Sequence, residues 1–146
     1  MQAILNSRPP RVYFAIRIFF VVLLAASSIG KLMDMTGFYK VIDSYQALPA
    51  ELVLTSAWGL ALFELGLAFS LALSKHLKAV AATLVLLHGL YFLWLSLALI
   101  RGQHIPNCGC FGVYFARPLT GFTLLEDGFL LFLSALLWRR SRTQTP

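Results

Sequence analysis

The sequence predicts an all-α membrane protein: a bundle of four transmembrane helices with both termini cytoplasmic and a short amphipathic helix in the first outer loop. Three observations predict it. Of 146 residues, 59% are hydrophobic and only 12% charged, which is too apolar for a soluble domain of this length. Four apolar runs are each long enough to cross a hydrocarbon core of ~30 Å, which takes roughly 20 helical residues. The basic residues sit between those runs and form no stripe interleaved with exposed aromatics. The net charge of +6 therefore reads as a topology signal and excludes a nucleic-acid-binding surface.

Residues 1–11 form a short cytoplasmic lead, because Pro9 and Pro10 oppose an early helix start. The first span follows from Val12 to Ile29. Its Ile18 to Leu24 centre and Ala25-Ala26-Ser27 also have the layout of a cleavable leader, but cleavage would leave three spans. The connection from Gly30 to Ala50 places Phe38, Val41, Ile42, Tyr45 and Leu48 at helical spacing before Pro49, the pattern of an amphipathic helix lying apolar face down at the interface. The second span runs from Leu52 to Leu73 and the third from Leu77 to Ile100. Gly102, Pro106, Gly109, Gly112 and Pro118 then punctuate residues 101–118 into a compact loop. The fourth span covers Leu119 to Trp138, completing a membrane domain over 12–138. Residues 139–146 form a cytoplasmic tail, frayed from Ser141 onward.

Orientation follows from the basic residues. Arg8, Arg11, Arg17, Lys75, Lys78, Arg139, Arg140 and Arg142 lie on one side, and Lys31, Lys40, Arg101 and Arg117 on the other, among Asp34, Asp43 and Glu51. The positive-inside rule puts the first set in the cytoplasm and the loop at 101–118 outside.

Ionisable residues inside a span cost about 2.5 kcal/mol or more at the bilayer centre, so each needs a reason. Glu64, His88 and Asp127 lie near the middle of the second, third and fourth spans, with Glu126 beside Asp127. Ala57, Ala61, Glu64, Ala68 and Ala72 share one helical face, and Thr120, Thr123, Asp127 and Ser134 form a polar stripe on the fourth span. The favoured reading is a structural clasp in which a protonated carboxyl bonds His88 or a hydroxyl, because burial makes the neutral form less costly than the charged one. The functional reading is a proton relay or a pocket for a head group such as a quinone. No cofactor is assigned.

The only two cysteines lie in His104-Ile105-Pro106-Asn107-Cys108-Gly109-Cys110-Phe111-Gly112. Facing an oxidising compartment, Cys108 and Cys110 would pair. A disulfide across one residue closes a very small loop, so it adds little stability and is readily reduced, which suits exchange better than stapling. Gly109 removes a side chain that would crowd the ring, and His104, Arg101 and Arg117 lie nearby in the sequence, where they would favour a thiolate. A metal site from His104, Cys108 and Cys110 lacks a fourth ligand, so no metal is assigned. An inert cysteine pair is the bland alternative.

Several of these residues together resemble the MauE family within the wider DoxX-like group of four-span, redox-associated membrane proteins: Ser28-Ile29-Gly30-Lys31-Leu32 with Asp34, Gly37-Phe38, Tyr45 with Leu48-Pro49, Glu64-Leu65-Gly66, and Asn107-Cys108-Gly109-Cys110-Phe111-Gly112. The cysteine element is the most specific part. The resemblance implies a bacterial inner-membrane protein that serves methylamine utilisation through processing, transport or maturation of the disulfide-rich small subunit of methylamine dehydrogenase, beside a thioredoxin-like, MauD-like periplasmic partner. Lys31, Asp34 and Glu64 are read as family-matched residues that shape the bundle. One cysteine pair holds one disulfide, so turnover requires a second redox partner. A non-catalytic scaffold and a metal or small-solute transporter are the rival readings.

Overall fold

A computed structural model describes residues 11–73 and 76–142. The lead at 1–10, with Arg8, as well as Lys75 and the tail at 143–146, lies outside the described residues. Five helices account for nearly all of the rest, and no strand is present among the described residues: α1 (Arg11–Met33), α2 (Met35–Ser44), α3 (Ala50–Leu73), α4 (Leu77–Ile100) and α5 (Gly121–Arg142). All but α2 are long and apolar enough to span a membrane. The chain is a multi-pass membrane protein, and its surface says so: Phe69, Leu86 and Leu125 are each more than 60% exposed, as expected where the solvent is hydrocarbon.

The long helices alternate in direction, so both long connections gather at one end of the bundle. At the opposite end Arg17 of α1 donates from Nε to the Leu71 carbonyl (2.8 Å) and from Nη2 to the Ala72 carbonyl (2.7 Å). These are among the last carbonyls of α3, which lack partners within the helix, so Arg17 both caps α3 and locks it to α1. The Arg140 guanidinium lies over the Tyr13 ring at the same end.

The four spans assemble as two pairs. Helix α1 packs extensively on α3, and α4 on α5, while α3 and α4 touch only over a short stretch. A larger core, including Phe20, Leu24, Leu67, Leu71, Leu84 and Leu137, fills the half near the chain ends. A smaller one, Tyr45, Leu95, Ala98, Ile105 and Leu119, fills the half beneath the connections. Between them lies a buried polar layer containing Ser27, Ser28, Lys31, Glu64 and His88.

Several expected boundaries move outward. Helix α1 continues four residues past Ile29 to Met33, which carries Lys31 into the bundle. Helix α5 continues to Arg142 and buries Ser141, whose hydroxyl donates to the Trp138 carbonyl (2.7 Å), so the expected fraying at Ser141 is corrected. The small-residue stripe on α3 runs Ala57, Ala61, Glu64, Ala68 and then Leu71, leaving Ala72 exposed. Two consecutive steps of four overshoot the helical repeat and rotate position 72 off the face, whereas a step of three keeps position 71 on it.

The amphipathic helix is present as α2. Asp34 caps it, Oδ1 accepting from the Gly37 amide at 2.8 Å, and Phe38 is buried beneath it. Helix α2 ends at Ser44, so Tyr45 and Leu48 of the expected stripe pack from the segment that follows.

The cysteine loop is docked into the bundle instead of lying on its surface. A Cβ at Gly30 would stand 2.7 Å from the Phe111 carbonyl oxygen, and one at Gly112, where φ is +70°, would stand 2.7 Å from the Gly30 carbonyl oxygen. Two glycines therefore let backbone meet backbone where α1 receives the loop. Gly30→Ala is expected to lower stability by about 1–3 kcal/mol, because rigid backbone must move. Gly66→Ala, where a Cβ meets open space, is expected to be neutral or to gain about 0.5–1 kcal/mol. Thermal denaturation of the two variants in detergent measures the contrast.

Candidate functional site

The site begins with a charge that a membrane helix cannot leave alone. Lys31 and Glu64 are 1% exposed, and Nζ donates to Glu64 Oε2 at 2.6 Å. Breaking such a pair strands a charge at low dielectric. The carboxylate is held from two neighbouring helices: Lys31 and Ser27 of α1 reach Oε2, and the Tyr91 hydroxyl of α4 donates to Oε1. Tyr91 thus bridges the gap between the two helix pairs. The Lys31 ammonium also faces the Phe38 ring (5.3 Å) and the Tyr91 ring (5.7 Å), which replace part of its lost hydration.

Ser27 links this knot to the cysteines. Its hydroxyl oxygen lies 2.5 Å from the Cys110 carbonyl and 2.9 Å from Glu64 Oε2. Further bonds fix the loop: the Tyr45 hydroxyl donates to the Cys108 carbonyl (3.0 Å), and the Cys108 amide to the Arg117 carbonyl (2.8 Å). Asn107 braces the turn from within, its Nδ2 donating to the Gly112 carbonyl (3.0 Å) and its Oδ1 accepting from the Gly109 amide (2.9 Å). Gly109 has φ +82° and lies against Val41, so it serves the turn as well as the ring.

The two sulfurs are 3.2 Å apart, about one ångström beyond bonding distance. They are electrostatically unequal. Cys108 is pulled down to about 6 by the hydrogen bond from Cys110, with help from the Cys110 backbone and Arg117. The same bond, with burial, pushes Cys110 well above the ordinary thiol range. Burial and the adjacent cysteines also raise the Tyr45 phenol, so it remains a donor. The pair has one ready nucleophile and one protonated partner.

The structure brings together only part of the expected set. Cys108, Gly109, Cys110, Lys31 and Glu64 converge, and Asp34 contributes by starting α2. His88 is buried but turns back on its own helix, Nδ1 lying 2.9 Å from the Leu84 carbonyl, with its ring edge-on to Phe20. Glu64 therefore does not take His88 as its partner, and the expected neutral clasp is corrected to an ion pair with Lys31 that two hydroxyls complete. Tyr91, three residues along the same face, occupies that role, and Ser27 is a second partner not singled out in the sequence. Asp127 is buried with Oδ2 unpartnered among the described residues, while Glu126 pairs at the surface with Arg117 (2.5 Å). Thr123 and Ser134 are buried, but Thr120 is exposed ahead of α5 and accepts from the Thr123 amide. His104 and Arg101 are exposed, and Arg117 is the basic side chain that bears on Cys108. No three His, Cys, Asp or Glu side chains converge as metal ligands among the described residues.

Beside the sulfurs lies a cavity of about 570 Å³ between α2, α3 and α4, within the range of small-molecule sites. Lys31, Tyr91, Cys108 and Cys110 supply its polar groups, and most of the remaining wall is apolar.

If the buried pair is the tie described, Lys31→Met and Glu64→Leu should each cost about 3–5 kcal/mol by stranding the other charge. The double variant should recover much of that loss, a coupling that a thermal-denaturation double-mutant cycle measures directly.

A family model described as methylamine utilisation protein MauE matches residues 9–140. The methylamine utilization protein MauE of Paracoccus denitrificans is 30% identical over 129 residues, covering 87% of this chain and 67% of that protein. No solved structure matches the chain. Because the family match runs from before the first span into the last turns of the fourth and takes in the whole cysteine loop, the chain belongs to the MauE family of membrane proteins.

Proposed function

We propose that this protein serves methylamine utilisation as a thiol-disulfide exchange component of the bacterial inner membrane, acting in processing, transport or maturation of the methylamine dehydrogenase small subunit. The name of its Paracoccus relative supports the setting. The observation that carries the chemistry is the polarised sulfur pair, 3.2 Å apart in a loop braced by Ser27 of α1, by Tyr45 just after α2 and by its own Asn107.

Both termini are cytoplasmic in this reading, and the cysteine end faces the periplasm. The charge pattern supports it: among the described residues Arg11, Arg17, Lys78, Arg139, Arg140 and Arg142 mark one end, while Lys40, Arg101 and Arg117 mark the other. The partner is a thioredoxin-like periplasmic protein.

Exchange runs in two displacements. The Cys108 thiolate attacks one sulfur of the partner's disulfide, forming a mixed disulfide and releasing the partner's other sulfur as thiolate. Cys110 then loses its proton and attacks the Cys108 sulfur, which closes the Cys108–Cys110 bond and releases the second partner thiolate. Two electrons pass from the pair to the partner, and the reverse sequence returns them. Relative potentials set the direction.

The alkylation rate of Cys108 should rise as pH passes about 6 and level off by neutrality. Cys110→Ala removes the hydrogen-bond donor, so the midpoint should move up toward the ordinary thiol range. Alkylation at pH 7 should then fall roughly tenfold. Arg117→Gln should move it less, because that side chain is 42% exposed and screened. Cys110→Ala should also accumulate a mixed disulfide between Cys108 and the thioredoxin-like partner, resolved by non-reducing electrophoresis. An absence of that adduct, with function retained when both cysteines are replaced by serine, would favour a non-catalytic scaffold.

A further inference from the structure

We infer that the cavity beside the cysteine pair is a binding site for a lipid-soluble quinone, which acts as the two-electron oxidant of Cys108 and Cys110. This rests on the exchange reading and supplies the second redox partner that a single pair needs.

Depth is the first argument. The α3 and α4 walls lie at residues 56–63 and 87–95, whereas the helix ends nearest the loops are Ala50 and Ile100. At 1.5 Å per residue the cavity lies roughly 8–20 Å along the helices from those ends, inside the span of a hydrocarbon core. The second argument is where it opens. Phe63, Leu90 and Trp94 line it and are 48%, 55% and 38% exposed, on the facing flanks of two spans that barely touch. Its mouth therefore faces the acyl chains, and its occupant comes from the bilayer.

The third argument is polarity. The wall is apolar except for the Lys31 ammonium, the neighbouring tyrosines, Ser56 and the thiols. A ring with carbonyl oxygens on an apolar tail matches that distribution. Lys31 donates one N–H to Glu64 Oε2 and keeps its proton, which leaves its other ammonium N–H groups to donate to a carbonyl oxygen and to the charge that develops there on reduction. Cys108 and Cys110 line the same space.

The balance closes. The Cys110 S–H bond breaks and one S–S bond forms between the Cys108 thiolate and Cys110. The quinone takes both electrons, one proton from Cys110 and one from water, its two carbonyls becoming the hydroxyls of a quinol. Coupled to exchange, a partner dithiol is oxidised to a disulfide for each quinone reduced.

The test uses the full chain, reduced, in lipid nanodiscs under anaerobic conditions, with decyl-ubiquinone as the probe. The expected result is one quinone reduced and two thiols lost per protein. Gly59 lines the cavity and a Cβ there meets nothing within 4 Å, so Gly59→Phe fills the space without displacing backbone. It should slow quinone reduction about tenfold or more, while leaving aqueous alkylation of Cys108 and exchange with the thioredoxin-like partner unchanged. Ser56→Phe should act in the same way from one turn earlier. Exchange with the partner but no quinone reduction would overturn the quinone site and leave the exchange reading standing. Quinone reduction without partner exchange would do the reverse. Quinone reduction at the wild-type rate in both filled variants, or a co-purifying phospholipid that decyl-ubiquinone does not displace, would also overturn the site.

Discussion

The architecture depends on one buried ion pair. Two charges in a hydrocarbon-embedded bundle are tolerated only when they meet and their remaining bonding capacity is filled. Lys31 and Glu64 do both, with Ser27, Tyr91 and two aromatic faces completing the shell. Lys31 joins α1 to α3 through this pair. Tyr91 then carries the tie across to α4, where the two helix pairs otherwise make little contact. The polar layer is thus the hinge-pin of the molecule: apolar cores fill either side of it, and the cysteine loop is built on it.

That coupling explains why a short glycine-rich loop holds two thiols in fixed relation. Ser27 reaches both the Glu64 carboxylate and the Cys110 carbonyl, while Gly30 and Gly112 let the loop backbone descend onto α1. Cys110 is held toward the interior, where it keeps its proton. Cys108 receives that hydrogen bond and the field of Arg117, and becomes the more acidic sulfur. Unequal thiols suit sequential displacement, in which one sulfur attacks and the other resolves. A surface staple would need no such asymmetry.

Much of this was legible in the sequence, and the limits have physical causes. The spans were readable because hydrocarbon thickness demands runs of about 20 apolar residues. Helix α2 was readable from its apolar spacing, and the cysteine pair from its rarity in so apolar a chain. Lys31 and Glu64 each stood out, but they are 33 residues apart on different helices, and only the helix register reveals that a lysine near the end of α1 reaches back to a glutamate deep in α3. Tyr91 was hidden for another reason: in a membrane helix a tyrosine reads as an ordinary aromatic, whereas His88 draws notice because its ring can ionise. The missed burial of Ser141 reflects a polar residue whose hydroxyl bonds its own helix and so carries no visible polar signature. The loop's docking could not be read because two glycines at backbone contact, Gly30 and Gly112, look in sequence like any other glycines.

The most direct measurement is to label Cys108 and Cys110 in intact cells with a membrane-impermeant thiol reagent, before and after reduction, with and without the thioredoxin-like partner. An exchange site at the outer end of the bundle requires labelling from outside and an oxidised fraction that shifts when the partner is removed. Labelling only after the inner face is exposed would contradict the orientation. Thiols labelled from outside in a redox state indifferent to the partner would contradict exchange itself.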